Sequence, residues 1–365
     1  MNLFPDLKKK YTKESLSARE AQRLAEFIAF GPVIFQTARI MSKWGILEML
    51  RNRNGGMTIE EIAKETAIST YAAKCLLEAS LCIGIVLIDD KTNRFTLSKT
   101  GWFLINDPAT KVNIDFNHDV NYLGWFNLEE SLRKGKPEGL KTLGDWPTVY
   151  EGLSSLPKHI QDSWFGFDHF YSDNSFDQAL EIVFGYKPRT LLDVGGNTGR
   201  WALRCVEYNK NVSVTILDLP QQICMMKENI KDKKGAERID GLGVDLLDEA
   251  APMPTDRKFD VIWMSQFLDC FSEEQIVSIL KRATKVMNEE SRLFIMETFW
   301  DRQRFEPAAL CLTLTSLYFT AIANGNSKMY HSEDMERLIN EAGIVIETTH
   351  DHLGHGHSII VCKLK

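Results

Sequence analysis

The chain has no run of about twenty consecutive apolar residues, so no transmembrane helix is expected. Its first residues, MNLFPDLKKKYTKES, lack an apolar stretch after the basic ones, so no secretory signal is expected either. No two cysteines form a CxxC pair. Cys75, Cys82, Cys205, Cys224, Cys270, Cys311 and Cys362 are dispersed and odd in number. That pattern excludes a disulfide framework and reads as buried thiols of a reducing cytoplasm. A basic excess is also lacking, because the formal charge is -7 and the pI about 5.7. Such a chain lacks the global attraction behind most nucleic-acid binding. Neither nucleic acid nor a membrane is therefore expected as partner. What is present is an ordinary globular balance, 44% hydrophobic and 25% charged over 365 residues. That length suits about two or three domains.

Residues 17–50 carry apolar side chains close to helical spacing, among them Phe27, Ile28, Val33, Ile34, Met41, Leu47 and Leu50. Gly55-Gly56 breaks the pattern. Thr58 with Glu61 forms a capping box for a short helix, and Ser69 opens another. Two β-rich runs, Ile85–Ile88 and Arg94–Leu97, flank a polar turn. Helices followed by a hairpin are the layout of a winged helix. Between Ser69 and Ile83 only Lys74 is basic, where a DNA reader needs several cations for phosphates. A structural or dimerisation role is expected instead. The apolar surplus over 24–50 predicts a homodimer.

Residues 105–180 are mostly helical in pattern and rich in aromatics, including Trp125, Trp164 and Phe167. They read either as a packed connecting bundle or as the wall of a pocket for a small apolar or aromatic molecule. His169, in WFGFDHF, is a candidate pocket residue. From about 186, strand-like runs alternate with helical ones: 190–194, 212–217, 239–244, 259–264, 292–297, 344–349 and 358–363. Alternation predicts a mostly parallel sheet covered on both faces. Only HDHLGHGH separates the last two runs, so they should form an antiparallel hairpin.

The strongest motif is LLDVGGNTG at 191–199. An apolar strand ends in Asp193, a glycine loop follows, and a helix opens at Arg200. The dinucleotide spacing G-x-G-x-x-G fails here. The pattern acid-x-Gly-x-Gly-x-Gly fits, with Asn197 in the middle place, and it is the loop of a class I binder of S-adenosylmethionine (SAM). The second strand ends in Asp218, where an acid can accept both ribose hydroxyls. The third ends in Asp245, placed to accept from an exocyclic amine such as that of adenine. Acids at successive strand ends line the edge where open α/β folds bind ligands.

Carrying these motifs, the chain resembles the O-methyltransferase family of plant phenolic, hydroxyindole and bacterial polyketide-tailoring enzymes. GILEML, TIEEIAKETAIS and FTLSKTGWFL resemble its N-terminal dimerisation domain. LLDVGGNTG, ILDLP and GVDLL resemble its cofactor motifs, and RLFIMETF and ANGNSKMYHSEDMERLINEAGI its C-terminal blocks. The resemblance implies SAM held by Asp193, Gly195, Gly196, Gly199, Asp218, Leu219, Asp245, Leu246 and Ser265. It also implies methyl transfer to oxygen of a small hydroxylated metabolite, aromatic ones included. The acceptor pocket is expected to use Trp125, Trp164, Phe167, His169 and Met329.

The family usually places a His-Asp-Trp run after the fourth strand, and that His is the general base. Here MSQFLDCFSEEQ puts Asp269 in its place. Two acids orient the family's His; Glu297 matches the first and Met329 stands where the second is expected. An aspartate is a weak base near neutral pH unless burial raises its pKa. Three readings follow. Asp269 is a substitute base with Glu297 near it, proximity alone suffices, or the protein binds SAM without methylating. His331 is a further candidate base. His350, His352, His355 and His357 crowd together, but no metal is expected in chemistry that needs none. The expected fold class is α/β: a Rossmann-like class I SAM methyltransferase domain over 181–365. An all-α, winged-helix dimerisation domain over 1–105 precedes it, with a helical connector and pocket wall over 106–180 between them.

Overall fold

The computed structural model describes residue 8 and residues 11–248, 250–251 and 253–365. The start of the chain, read above for a signal, lies largely outside them. Two compact units divide the chain, Lys13–Val120 and Asn121–Lys365. The division falls at 120 rather than at 105, and residues 121–180 belong with the sheet.

In the first unit the helical stretch 17–50 is three helices: α1 (Ala18–Ala29), α2 (Gly31–Lys43) and α3 (Ile46–Asn52). Gly45, at φ +70, makes the turn before α3. The Thr58–Glu61 capping box starts α4 (Ile59–Thr66), and Ser69 caps α5 (Thr70–Ile83). Strands β1 (Val86–Ile88) and β2 (Phe95–Leu97) pair antiparallel as read. Helices α6 (Lys99–Asn106) and α7 (Pro108–Phe116) follow. Met41, Ile46, Leu47, Met57, Ile62 and Leu77 form the buried core. Arg94 donates to the Glu61 carboxylate (2.8 Å), fastening the hairpin to α4. Helix α1 buries no side chain, and Ile28 and Val33 remain 73% and 56% exposed.

The second unit holds a seven-stranded sheet in the order β5-β4-β3-β6-β7-β9-β8. Its strands are β3 (Thr190–Val194), β4 (Ser213–Asp218), β5 (Ile239–Gly243), β6 (Val261–Ser265), β7 (Arg292–Glu297), β8 (Ile344–Leu353) and β9 (His357–Leu364). The first five are parallel, and β9 runs antiparallel to both β7 and β8. Alternate residues face opposite sides. Leu192, Val194, Ile262 and Met264 join one buried layer; Leu191, Val261, Trp263 and Phe294 join the other. The connecting helices are α8 (Leu128–Lys134), α9 (Val149–Gly152), α10 (Lys158–Asp173), α11 (Phe176–Gly185), α12 (Arg200–Tyr208), α13 (Pro220–Ile230), α14 (Glu273–Thr284), α15 (Glu306–Tyr318) and α16 (Ser332–Glu341). Chain order reverses between β3 and β6, which opens a crevice at the carboxyl edge.

Two expectations need correction. Helix α15 continues through a π-helical turn to Ala323, and Glu306–Ala323 reaches the length and mean hydropathy (18 residues, 1.3) of a membrane span. Its apolar residues are interspersed with threonines, so no unbroken apolar run betrays it. Ala309, Leu312, Tyr318, Phe319 and Ile322 are buried within the unit, while Leu310 and Leu314 on the same helix are exposed. Of the cysteines, all free, only Cys205 and Cys362 are buried; Cys75, Cys82 and Cys224 are exposed, because they lie on outward helix faces.

Candidate active site

Asp193 on β3 is 2% exposed, and its Oδ2 has no hydrogen-bond partner among the described residues. Burial, with the Asp218 charge beside it, pushes its carboxyl up to about 8. The chain then turns through Gly195, Asn197 and Gly199, all in the left-handed region. The Gly195 N–H donates to the Leu217 carbonyl (2.8 Å), tying the loop to β4. A Cβ on Gly195 would stand 2.3 Å from the Phe267 ring, and one on Gly196 2.7 Å from Asp193 Oδ2. The glycines let ring and carboxyl close onto the loop.

At the end of β4, Asp218 accepts the Asn197 N–H at Oδ2 (2.8 Å) and the Leu219 N–H at Oδ1 (2.7 Å). These bonds fix the carboxylate and leave further lone pairs for hydroxyl donors. Strand β5 ends at Gly243, so Asp245 stands in the exposed loop beyond it, accepting the Leu247 N–H (2.8 Å). Leu246 is buried. Buried Arg282 on α14 donates to the Leu246 carbonyl and to that of Asp248 (3.1 Å), which anchors this loop. Ser265 closes β6. Gln266 follows at φ +45, its Oε1 3.3 Å from His357 Nε2. His357 is wholly buried, its Nδ1 2.8 Å from Ser175 Oγ, and burial pushes it down to about 3.

Phe267 leads into a short turn, Leu268–Cys270. Glu297, closing β7 and 2% exposed, accepts the N–H groups of Phe267 (3.1 Å) and Leu268 (2.9 Å) at Oε1, while its Oε2 has no hydrogen-bond partner among the described residues. Asn324 Nδ2 donates to the Cys270 carbonyl (2.6 Å) and the Tyr330 hydroxyl to that of Phe271 (2.6 Å), gripping the same turn from the other side. Asp269 is 7% exposed and is met by the Cys270 thiol, 3.5 Å from Oδ1. Burial lifts its carboxyl to about 7. Burial and then the Asp269 charge hold Glu297 well above the carboxylate range. Met329 is buried, its N–H on Ser316 Oγ (3.1 Å).

Helix α10 supplies the opposite wall. Trp164 Nε1 donates to the Tyr318 hydroxyl (2.8 Å). Asn197 Nδ2 reaches Asp168 Oδ2 at 3.4 Å, and Asp168 is lifted to about 7 by burial and then by the Asp269 charge. The enclosed Tyr150 hydroxyl lies near the Cys270 thiol and Asp269. His169 lies 3.1 Å from Arg200, which also pairs with Asp173; burial lowers its pKa.

Parallel strand ends therefore align Asp193, Asp218, Leu219 and Ser265, with Asp245 and Leu246 in the loop beyond β5, and set Asp269 and Glu297 at the adjoining ends. Trp164 meets Tyr318 on the pocket wall, whereas Phe167 packs on Tyr171 (4.9 Å) and Trp125 belongs to a turn against residues 138–142. His331 caps α16 by accepting the Glu333 N–H (3.1 Å), a structural task. His355 stacks on Phe170 (4.7 Å). Among the described residues no group of three or more metal-binding side chains is assembled. Asp168, Tyr150, Tyr318, Phe267 and Arg282 were not legible as site residues. A lone acid in the aromatic helix WFGFDHF was the one available signal, for Asp168.

The donor set tests the cofactor. An orphaned acceptor at Asp193, a fixed carboxylate at Asp218 and a loop closed by glycines fit a ligand rich in N–H and O–H donors, as SAM is. The Dimerisation2-like domain model matches residues 22–95 and the O-methyltransferase domain model matches 175–345. Norreticuline-7-O-methyltransferase of Papaver somniferum is 28% identical over 60% of this chain, which spans 57% of that enzyme's length. Acetylserotonin O-methyltransferase of Homo sapiens is 20% identical over 83% of this chain and 86% of its own. The O-methyltransferase NcsB1 from neocarzinostatin biosynthesis, solved with SAM and 2-hydroxy-5-methyl naphthoic acid, shares the fold with TM-score 0.67 at 18% identity, over 91% of this chain and 96% of its own.

Proposed function

We propose that this chain, in which a Dimerisation2-like domain precedes an O-methyltransferase domain, methylates an oxygen of a small hydroxylated acceptor, with SAM as donor and as a homodimer. When bound, SAM supplies an electrophilic methyl group on a sulfonium. Asp218 and Asp245 would hold the nucleoside, and Asp193 its amino-acid tail. Asp269 takes the hydroxyl proton as oxygen becomes the nucleophile. The observation that carries this reading is the environment of Asp269. Enclosure lifts its carboxyl to about 7, which matches a general base to neutral pH. Glu297 positions it through the backbone of the turn. The SAM and naphthoic acid bound by NcsB1 support a small-molecule acceptor.

The test is a screen of hydroxylated aromatics with labelled SAM. Asp269→Asn should keep SAM affinity and lose about 10²–10⁴-fold in turnover. Wild-type kcat/KM should rise with pH through about 7, as Asp269 loses its proton, and then level off. Equal turnover by the variant would remove Asp269 as base; no labelled product from any acceptor would remove methyl transfer.

Exposed Leu24, Ile28, Phe30 and Val33 on α1–α2 support dimerisation through the first unit, with the β1–β2 hairpin as the wing of a winged helix. Light scattering should give twice 41.7 kDa; a monomer mass at micromolar concentration overturns this. Seven free cysteines suit a reducing compartment, the cytoplasm.

A further inference from the structure

We infer that the histidine-bearing tip of the β8–β9 hairpin clasps the acceptor wall to the turn that carries Asp269, with His357 and Gln266 as positioning residues for transfer. The inference rests on the transfer reading above. On one side the tip grips the end of α10, the helix of Trp164 and Asp168. The His355 ring stacks on Phe170 (4.7 Å), and the Gly354 N–H donates to Gln178 Oε1 (2.8 Å) on α11. Gly354 stands at φ +50, and a Cβ there would lie 2.6 Å from Ser175 Oγ and 2.8 Å from the Asn174 backbone, so the approach requires glycine. Ser175 Oγ, at the α10–α11 junction, is 2.8 Å from His357 Nδ1.

On the other side the same imidazole reaches the end of β6, with Nε2 3.3 Å from Gln266 Oε1. His357 is wholly buried and therefore neutral, so one ring nitrogen donates and the other accepts. The Gln266 oxygen can only accept, which places the proton on Nε2 and leaves Nδ1 to accept the Ser175 hydroxyl. Gln266 is the residue that needs holding. Its φ is +45, which a non-glycine residue keeps only where its surroundings impose it. Its N–H donates to the Met296 carbonyl (2.9 Å) on β7, and the chain then enters Phe267, Leu268 and Asp269. Gln303 completes the clasp, its Nε2 donating to the carbonyls of Phe299 (2.8 Å) and Gly356 (2.9 Å). One imidazole thus spans the junction behind α10 and the constrained residue ahead of Asp269.

The experiment uses the full-length protein. His357→Phe keeps a ring and deletes both bonds. Gln266→Gly deletes the link yet rests easily at φ +45, so its fold is kept. Each should lose about 10- to 100-fold in kcat at saturating SAM and acceptor, the cost of moving a reacting group by about 1 Å. SAM affinity by calorimetry should shift less than about threefold. His357→Gln, whose amide can still donate to Gln266, should recover most of the loss. The double variant should cost no more than the worse single one, since both break one link. Wild-type kcat in Gln266→Gly, multiplied losses in the double variant, no recovery by His357→Gln, or SAM affinity falling as far as kcat each overturns the inference. Amide exchange gives a reading without turnover. His357→Phe should speed exchange at Phe267 and Leu268 and in the last turn of α10, leaving β3–β5 as in wild type. Unchanged exchange at either place overturns the clasp. Faster exchange at both with no labelled product from wild type sinks transfer alone, whereas product with unchanged exchange sinks this inference alone.

Discussion

The two flanks of the sheet's carboxyl edge hold their acids in opposite ways, apart from Asp193 on β3, with an orphaned Oδ2, and Glu297 on β7, held by two backbone N–H groups. On the β3–β5 flank, Asp218 is gripped by two backbone N–H groups and Asp245 by one. On the other flank, Asp269 meets the Cys270 thiol and Asp168 a long amide contact from Asn197, with no backbone N–H of another residue on either among the described residues. Acids held by backbone have a fixed direction before any ligand arrives, which suits a ligand of constant shape. Acids left without donors are poised for whatever enters, and their protonation follows it. A single edge thus combines a preset half with a responsive one.

Three measurements can break that contrast. The largest effect belongs to Asp218→Ala, which removes acceptors for two hydroxyls and should cost SAM roughly 100-fold in affinity. Acceptor affinity should hardly change; parallel losses in both would mean the flanks are not separate. Next is Asp193→Asn, read by thermal unfolding without SAM. The folded form keeps the Asp193 proton up to about 8, against an ordinary value of 3.8, so this group's contribution to stability falls as pH rises through that window. Asparagine abolishes the fall, and Tm at alkaline pH should exceed wild type by roughly 2–4 °C for each kcal/mol regained. An unchanged pH slope would show that Asp193 is not a strained acid. The smallest effect is Arg282→Met, which frees the loop of Leu246 and should weaken SAM about threefold, a fraction of one hydrogen bond. Arg282→Lys should recover part of it, while acceptor KM stays put.

The preset flank was legible in the sequence because its signals are local. Apolar runs ending in Asp193 and Asp218, and glycines at fixed spacing, specify strand, turn and helix within a few residues. The antiparallel β8–β9 pair followed from a short connection for the same reason. Asp245 was misplaced slightly, since β5 stops at Gly243 and the acid lies in the loop. On the responsive flank, Asp269 and Glu297 came from the family resemblance, while Asp168, Tyr150 and Tyr318 were hidden as site residues. Those three come from separate elements, and nothing in local spacing says that α10 turns Asp168 toward the glycine loop. Cysteine exposure was hidden likewise, because it depends on which face of a helix finds a neighbour.

The grip of Glu297 on the turn constrains the routes by which this site can change. Its Oε1 is committed to the amides of Phe267 and Leu268, and buried Met329 occupies the place of the second acid. A histidine installed at 269 alone would therefore find Glu297 Oε2 as the one acid oxygen left to steer its ring. The second acid comes only with a change at 329, so the full pair of ring-orienting acids requires both positions to change. The history of a substitution here depends on its order.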